Sequence, residues 1–160
     1  MLPIICIVGK SESGKTTLIE KLIPELKKRG YRIGSIKHTC QTFDIDKKGK
    51  DSWRHRKAGS DTVIITSTDK IAMIKDNDCE SLLCLEKYFD NIDLVIAEGF
   101  NKENMPKIEI VRKANSKEPV CLGDNQLIAL VTDTDIDHKV PRFNLEEIDN
   151  IADFIENKYL

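Results

Sequence analysis

Eight consecutive residues constrain this chain more than any others: Gly9, Lys10, Ser11, Glu12, Ser13, Gly14, Lys15 and Thr16. They follow an apolar run at 4–8. They lead into a segment where Leu18, Ile19, Leu22, Ile23 and Leu26 recur at helical spacing. The pattern GxxxxGK[ST] between a buried strand and a helix is that of a phosphate-binding loop. Its glycines let the backbone curl so that successive N–H groups converge on phosphate oxygens, and the helix start adds its positive dipole end. Lys15 is placed to reach the β- and γ-phosphates and to serve catalysis, and the Thr16 hydroxyl to ligate Mg²⁺. The expected nucleotide contacts are therefore residues 9–16 together with Thr17.

The rest of the chain alternates in the way such a loop requires. Strands are expected at 4–8, 32–36, 62–66, 71–74, 94–97, 107–111 and 127–131, with 62–66 and 71–74 joined by a turn. Helices are expected at 15–29, 51–58, 80–88 and 145–159. Pro24 lies inside the first helical pattern, where loss of a backbone donor should kink or break it. Residues 41–50 read as a loop and 115–125 as a surface excursion. Strands alternating with helices predict an α/β fold with a doubly wound, mostly parallel sheet and helices on both faces. With no linker rich in Pro, Gly or Ser, residues 1–160 are expected to form one nucleotide-binding domain.

A nucleoside triphosphatase needs a carboxylate at a neighbouring strand end, to hold the Mg²⁺ shell or orient a water. Glu98, directly after 94–97 and followed by Gly99, is the candidate for both catalysis and metal. Asp93, at the other end of that strand, reads as a cap. For the base, Asp133 closes a late strand. A carboxylate accepts two hydrogen bonds from the N1–H and exocyclic amine of guanine but meets an acceptor at N1 of adenine. The bland reading of Asp133 is a turn residue. Asn101-Lys-Glu-Asn104 only superficially resembles a guanine-reading motif. In the loop after the second strand, Asp46 is a candidate third contributor to the metal; His38 and Cys40 supply too few ligands for a closed metal site.

Composition narrows the function classes. The 160 residues are 40% hydrophobic and 32% charged with formal net charge -2, which excludes disordered and low-complexity classes. No basic excess points to nucleic acid, and no apolar run approaches bilayer length. Five cysteines, an odd number without a CxxC pair, argue against a disulfide framework and for a reducing cytoplasm.

Together, Gly9–Leu18, Lys21–Pro24, Gly30–Gly34, Lys37-His38, 44–51, Arg56–Gly59, Glu98–Phe100 and Pro106–Ile108 resemble the MobB family of molybdopterin-guanine dinucleotide biosynthesis adaptors. The resemblance implies a GTP-binding homodimer with weak GTPase activity. It would assist the molybdenum cofactor guanylyltransferase that attaches GMP to molybdopterin, with molybdopterin itself a further candidate ligand. Lys10 stands where an extra lysine of some dimeric P-loop proteins reaches the nucleotide. Two positions depart from the family habit: Cys40 and Gln41 where histidines are frequent, and Asn101 where lysine is usual. The competing expectations are a P-loop small-molecule kinase and a GTP-dependent metal-delivery protein.

Overall fold

The computed structural model describes residues 2–79, 81–114 and 118–160. Six strands form one sheet: β1 (Ile4–Val8), β2 (Ile33–Lys37), β5 (Leu94–Glu98), β6 (Lys107–Val111), β7 (Leu127–Thr132) and β8 (Arg142–Phe143). Their order is β2-β5-β1-β6-β7-β8, and every pairing between neighbours is parallel. Two further strands, β3 (Thr62–Thr66) and β4 (Ile71–Lys75), pair with each other as an antiparallel hairpin and, among the described residues, with no other strand. Among the described residues the α-helices are α1 (Lys15–Lys28), α2 (Asp51–Lys57) and α3 (Ile148–Tyr159). The chain divides into two compact units, Thr39–Cys84 and the remainder.

In the larger unit, the pleat sends alternate side chains to opposite faces. Ile5, Ile7, Leu94, Ile96, Ile108, Ile110, Ala129 and Val131 join one core cluster with Leu18, Leu22 and Leu26 of α1 and Ile151, Ala152 and Ile155 of α3. The apolar stripes of the two helices thus cover one face. On the other, residues 85–88, the part of a 3₁₀ segment (Leu82–Tyr88) that falls in this unit, lead into Phe89, whose ring closes over Gly34; a Cβ at Gly34 would lie 2.6 Å from it. Two buried charges also occupy this second face. The Lys107 ammonium donates to the carbonyls of Glu103 and Met105 and pairs with Asp124 at 2.9 Å. Glu109 accepts the N–H groups of Val120 and Cys121. Burial pushes the Glu109 carboxyl up, while those two N–H groups oppose it.

In the smaller unit, α2 packs on β3. The register Ile64↔Met73 and Thr66↔Ile71 puts Ile64, Ile71 and Met73 on one face of the hairpin, all exposed.

Several sequence expectations need correction. Pro24 does not break α1, which runs unbroken through it. Pro24 and Glu20 are exposed, so water can take the freed carbonyl, while Leu22 and Leu26 hold the helix to the core. The segment expected as a helix over 80–88 is 3₁₀ from Leu82, and residue 80 lies outside the described residues. The last helix starts at Ile148 rather than 145 because Asn144 and Glu147 close a turn before it, each donating its N–H to the other. The two-residue strand β8 is too short to leave a period. Of the expected excursion over 115–125, residues 115–117 lie outside the described residues; Cys121 is buried and tied to Glu109. Cysteine spacing missed one local bridge, Cys79–Cys84, with Cα atoms 6.3 Å apart. Among the described residues no helix is long and apolar enough to cross a membrane.

Candidate nucleotide site

The site lies at the carboxyl ends of the parallel strands, where ligands of such sheets bind. β1 ends at Val8 and the loop begins with Gly9 at φ 139°. A Cβ there would sit 2.6 Å from the Ile110 carbonyl oxygen and 2.9 Å from Ser13 Oγ, so only glycine lets the loop lie this close to β6. Glu12 at φ 59° and Gly14 at φ 95° are left-handed, a backbone that turns successive N–H groups into a concave anion nest. Gly14 caps α1 without a side-chain oxygen, leaving the first-turn N–H groups to an external acceptor. Ser13 Oγ is buried and has no partner among the described residues. The cradle, the uncapped helix start and this orphaned hydroxyl fit a bound phosphate chain.

Lys15 curls over the mouth of the loop, its ammonium donating to the carbonyls of Gly9 at 3.0 Å and Lys10 at 2.7 Å. Thr16 Oγ1 donates to Glu98 Oε2 at 3.0 Å. Glu98 is fixed by main-chain bonds on both sides: its carbonyl accepts His38 N–H, and Gly99 N–H donates to Ile7. Its other carboxylate oxygen pairs with Lys37 at 3.2 Å, across the β2–β5 register. The chain then leaves through two left-handed residues, Gly99 and Phe100, with the Phe100 ring 4.8 Å from that of His38. A non-glycine residue held left-handed costs on the order of 1–3 kcal/mol and commonly marks a functional turn.

On the far side of the loop, Asp133 follows β7, two strands from β1. Adjacent strands are about 4.8 Å apart, so the two strand ends stand roughly 10 Å apart, a span that a ribose and α-phosphate bridge. Asp133 Oδ1 accepts Lys113 N–H at 2.6 Å and Oδ2 accepts Arg112 Nε at 3.2 Å. The Lys113 N–H, and after it the Arg112 guanidinium, hold the Asp133 carboxyl below the usual range against opposing desolvation. A cleft of about 370 Å³ opens beside it, lined by Thr132, Asp133, Thr134, Asp135, Arg142, Phe143 and Asn144.

The larger unit thus brings together residues 9–17 and Glu98, with Asp133 on the same sheet edge. Asp46 belongs to the smaller unit, where Oδ1 accepts the Ser52 hydroxyl at 2.6 Å and Oδ2 is buried without a partner among the described residues. Asp93 accepts the Arg32 N–H, as a cap would. Asn101–Asn104 turns away from β5, and the Glu103 carbonyl serves Lys107. Sequence reasoning gave no role to Lys37 or Arg112. Lys37 ends β2 beside Glu98 at the end of β5, and Arg112 directly follows β6 beside Asp133 after β7, a signal visible only once strand order is known.

A parallel sheet with a phosphate loop, a Thr–Glu pair at its mouth and an acid two strands away defines a P-loop nucleotide-binding protein. The chain belongs to the MobB family: the family model described as molybdopterin guanine dinucleotide synthesis protein B matches residues 4–133. The molybdopterin-guanine dinucleotide biosynthesis adapter protein of Haemophilus influenzae is 41% identical over 159 residues, 98% of this chain and 89% of that protein. The Escherichia coli protein of the same description is 35% identical, over 97% of this chain and 92% of its own length. A crystal structure of molybdopterin-guanine biosynthesis protein B superposes with TM-score 0.77 at 34% identity, covering 96% of this chain and 98% of that one. Bacillus subtilis MobB shares the fold at TM-score 0.77 and 23% identity, covering 99% of each chain.

Proposed function

We propose that the protein is a GTP-binding adaptor with slow hydrolytic activity. It assists the guanylyltransferase that joins GMP to molybdopterin, and works in the cytoplasm as a homodimer. The observation that carries the nucleotide part is the hydrogen bond between Thr16 and Glu98 at the mouth of the phosphate loop. The adapter part is brought by the relatives' descriptions.

In this reading, the loop N–H groups and Lys15 bind the β- and γ-phosphates, and Lys15 exchanges its two loop carbonyls for phosphate oxygens. Thr16 and Glu98 would hold Mg²⁺, which when bound neutralises charge on those phosphates. Glu98, steadied by Lys37, orients the attacking water. Asp133 takes the N1–H and amine of guanine, its carboxylate kept ionised by Lys113 N–H and Arg112.

The reading is tested by reconstituting transfer of GMP to molybdopterin with a purified guanylyltransferase. Adding the protein with GTP should raise the yield, and Lys15→Ala should not. No stimulation, or equal stimulation by the variant, overturns the adaptor role or its dependence on nucleotide, respectively.

A further inference from the structure

Arg112 stands between the two halves of the site. It directly follows β6, the strand that separates β1 from β7. One part of its guanidinium, Nε, donates to Asp133 at 3.2 Å. Another, Nη1, lies 3.7 Å from where a Cβ of Gly14 would be, against the phosphate loop itself. The same side chain lines a small cavity with Lys10 and Ser13 of that loop. Arg112 therefore touches the surroundings of the phosphate seat with one edge and the acid with the other. A planar guanidinium with several fixed donors suits this bracing, where a flexible point charge would not.

We propose that Arg112 is a positioning residue for base recognition: it braces Asp133 from the edge of the phosphate loop, so that base and triphosphate are read in one register. The inference rests on the reading of Asp133 as the guanine contact. Lys113 N–H fixes one carboxylate oxygen and Arg112 the other, so the carboxylate plane cannot swing. Each oxygen keeps a lone pair for one of the two donors on the guanine edge. Without Arg112, Oδ2 is free to rotate about the remaining bond, and the second hydrogen bond to the base loses its alignment. The loss falls on guanine, because adenine offers no matching pair of donors.

The test is binding of GTP, ATP, ITP and XTP, each with Mg²⁺, to the full chain and three variants. Inosine triphosphate lacks the 2-amine, so the GTP-to-ITP ratio reports the second hydrogen bond alone. Arg112→Met should lower both the GTP-to-ATP and GTP-to-ITP ratios roughly tenfold, the worth of one charge-assisted hydrogen bond. ATP affinity should fall much less than GTP affinity. Arg112→Lys, which keeps the charge without the fork, should lie between and also decides the matter if the Met variant folds poorly. Unchanged ratios in both variants overturn the proposal. An equal fall for GTP and ATP also overturns it, since Arg112 would then contact phosphate directly. The underlying reading is checked separately with Asp133→Asn. An Asn amide donates to the 2-carbonyl of xanthine and still accepts N1–H, so preference should swing from GTP to XTP. If that swing occurs while the Arg112 ratios hold, only the bracing role fails. If it does not occur, Asp133 is not the base contact and both fall.

Discussion

The Thr16 hydroxyl donates to Glu98 across the mouth of the phosphate loop at 3.0 Å, joining the first turn of α1 to the end of β5. One residue is eighty-two positions from the other in sequence, yet both are placed from the same central strand, Glu98 by the pairing of β5 with β1 and Thr16 by the loop that leaves β1. The pair sets a hydroxyl and a carboxylate side by side, the two groups that on the proposed reading would hold a divalent cation. Glu98→Gln keeps the shape and the hydrogen bond but removes the charge. Nucleotide affinity should change less than about fivefold, while the hydrolysis rate falls at least ~100-fold, the usual range for losing a positioned acid or base. Single-turnover hydrolysis beside equilibrium titration separates the two; parallel losses would make Glu98 a binding residue instead.

Gly9 carries a steric requirement. With φ at 139° and a carbonyl oxygen 2.6 Å from the site of a Cβ, alanine must push the loop away from β6. Gly9→Ala should cost about 2 kcal/mol, lowering the melting temperature by roughly 5 °C, and should weaken nucleotide binding at least tenfold. A variant with unchanged melting and affinity would contradict the close approach of loop and strand.

The cysteines should separate by reactivity. Cys6 and Cys121 are buried, and burial pushes their thiols up to about 12 and about 11. Cys40 is exposed, and Cys79 and Cys84 are bonded to each other. Ellman's reagent on native protein without reductant should therefore report one fast thiol. Mild reduction should add two, and denaturation the last two. Three fast thiols before reduction would mean that Cys79 and Cys84 are not joined in solution.

Arg29, paired with Glu25 of its own helix, ties α1 to α3 through Asp153 and Glu156. The Arg29 hydrogen bond lowers the Glu25 carboxyl; the Tyr31 hydroxyl, then Arg29, lowers Glu156. A depressed folded-state value stabilises above the unfolded value of about 4.3 and is lost as pH falls through the folded one. Arg29→Met should therefore melt earlier than the parent at pH 7, with the gap closing below about pH 4. A gap constant from pH 7 to pH 3 would show that Arg29 acts through packing alone.

Sequence reading reaches the phosphate loop, the Glu98 strand end and most strands because each leaves a local signature, a glycine spacing or a short apolar run. Pro24 departs from expectation because its penalty depends on whether the freed carbonyl meets water, and that depends on which face of α1 is wet. Lys37 and Arg112 escape sequence reading for another reason. Their partners, Glu98 and Asp133, become neighbours only through the order β2-β5-β1-β6-β7, which no local period encodes. The Cys79–Cys84 bridge likewise depends on the chain folding back into a 3₁₀ segment where the sequence carries a helix pattern.

Whether the loop and Asp133 form one guanine nucleotide site is decided most directly by calorimetric titration with GTP and, separately, ATP in the presence of Mg²⁺. GTP should bind at least ~100-fold tighter than ATP, with Lys15→Ala weakening both by an order of magnitude or more. Equal or ATP-favoured binding would leave the phosphate loop standing and contradict the guanine assignment.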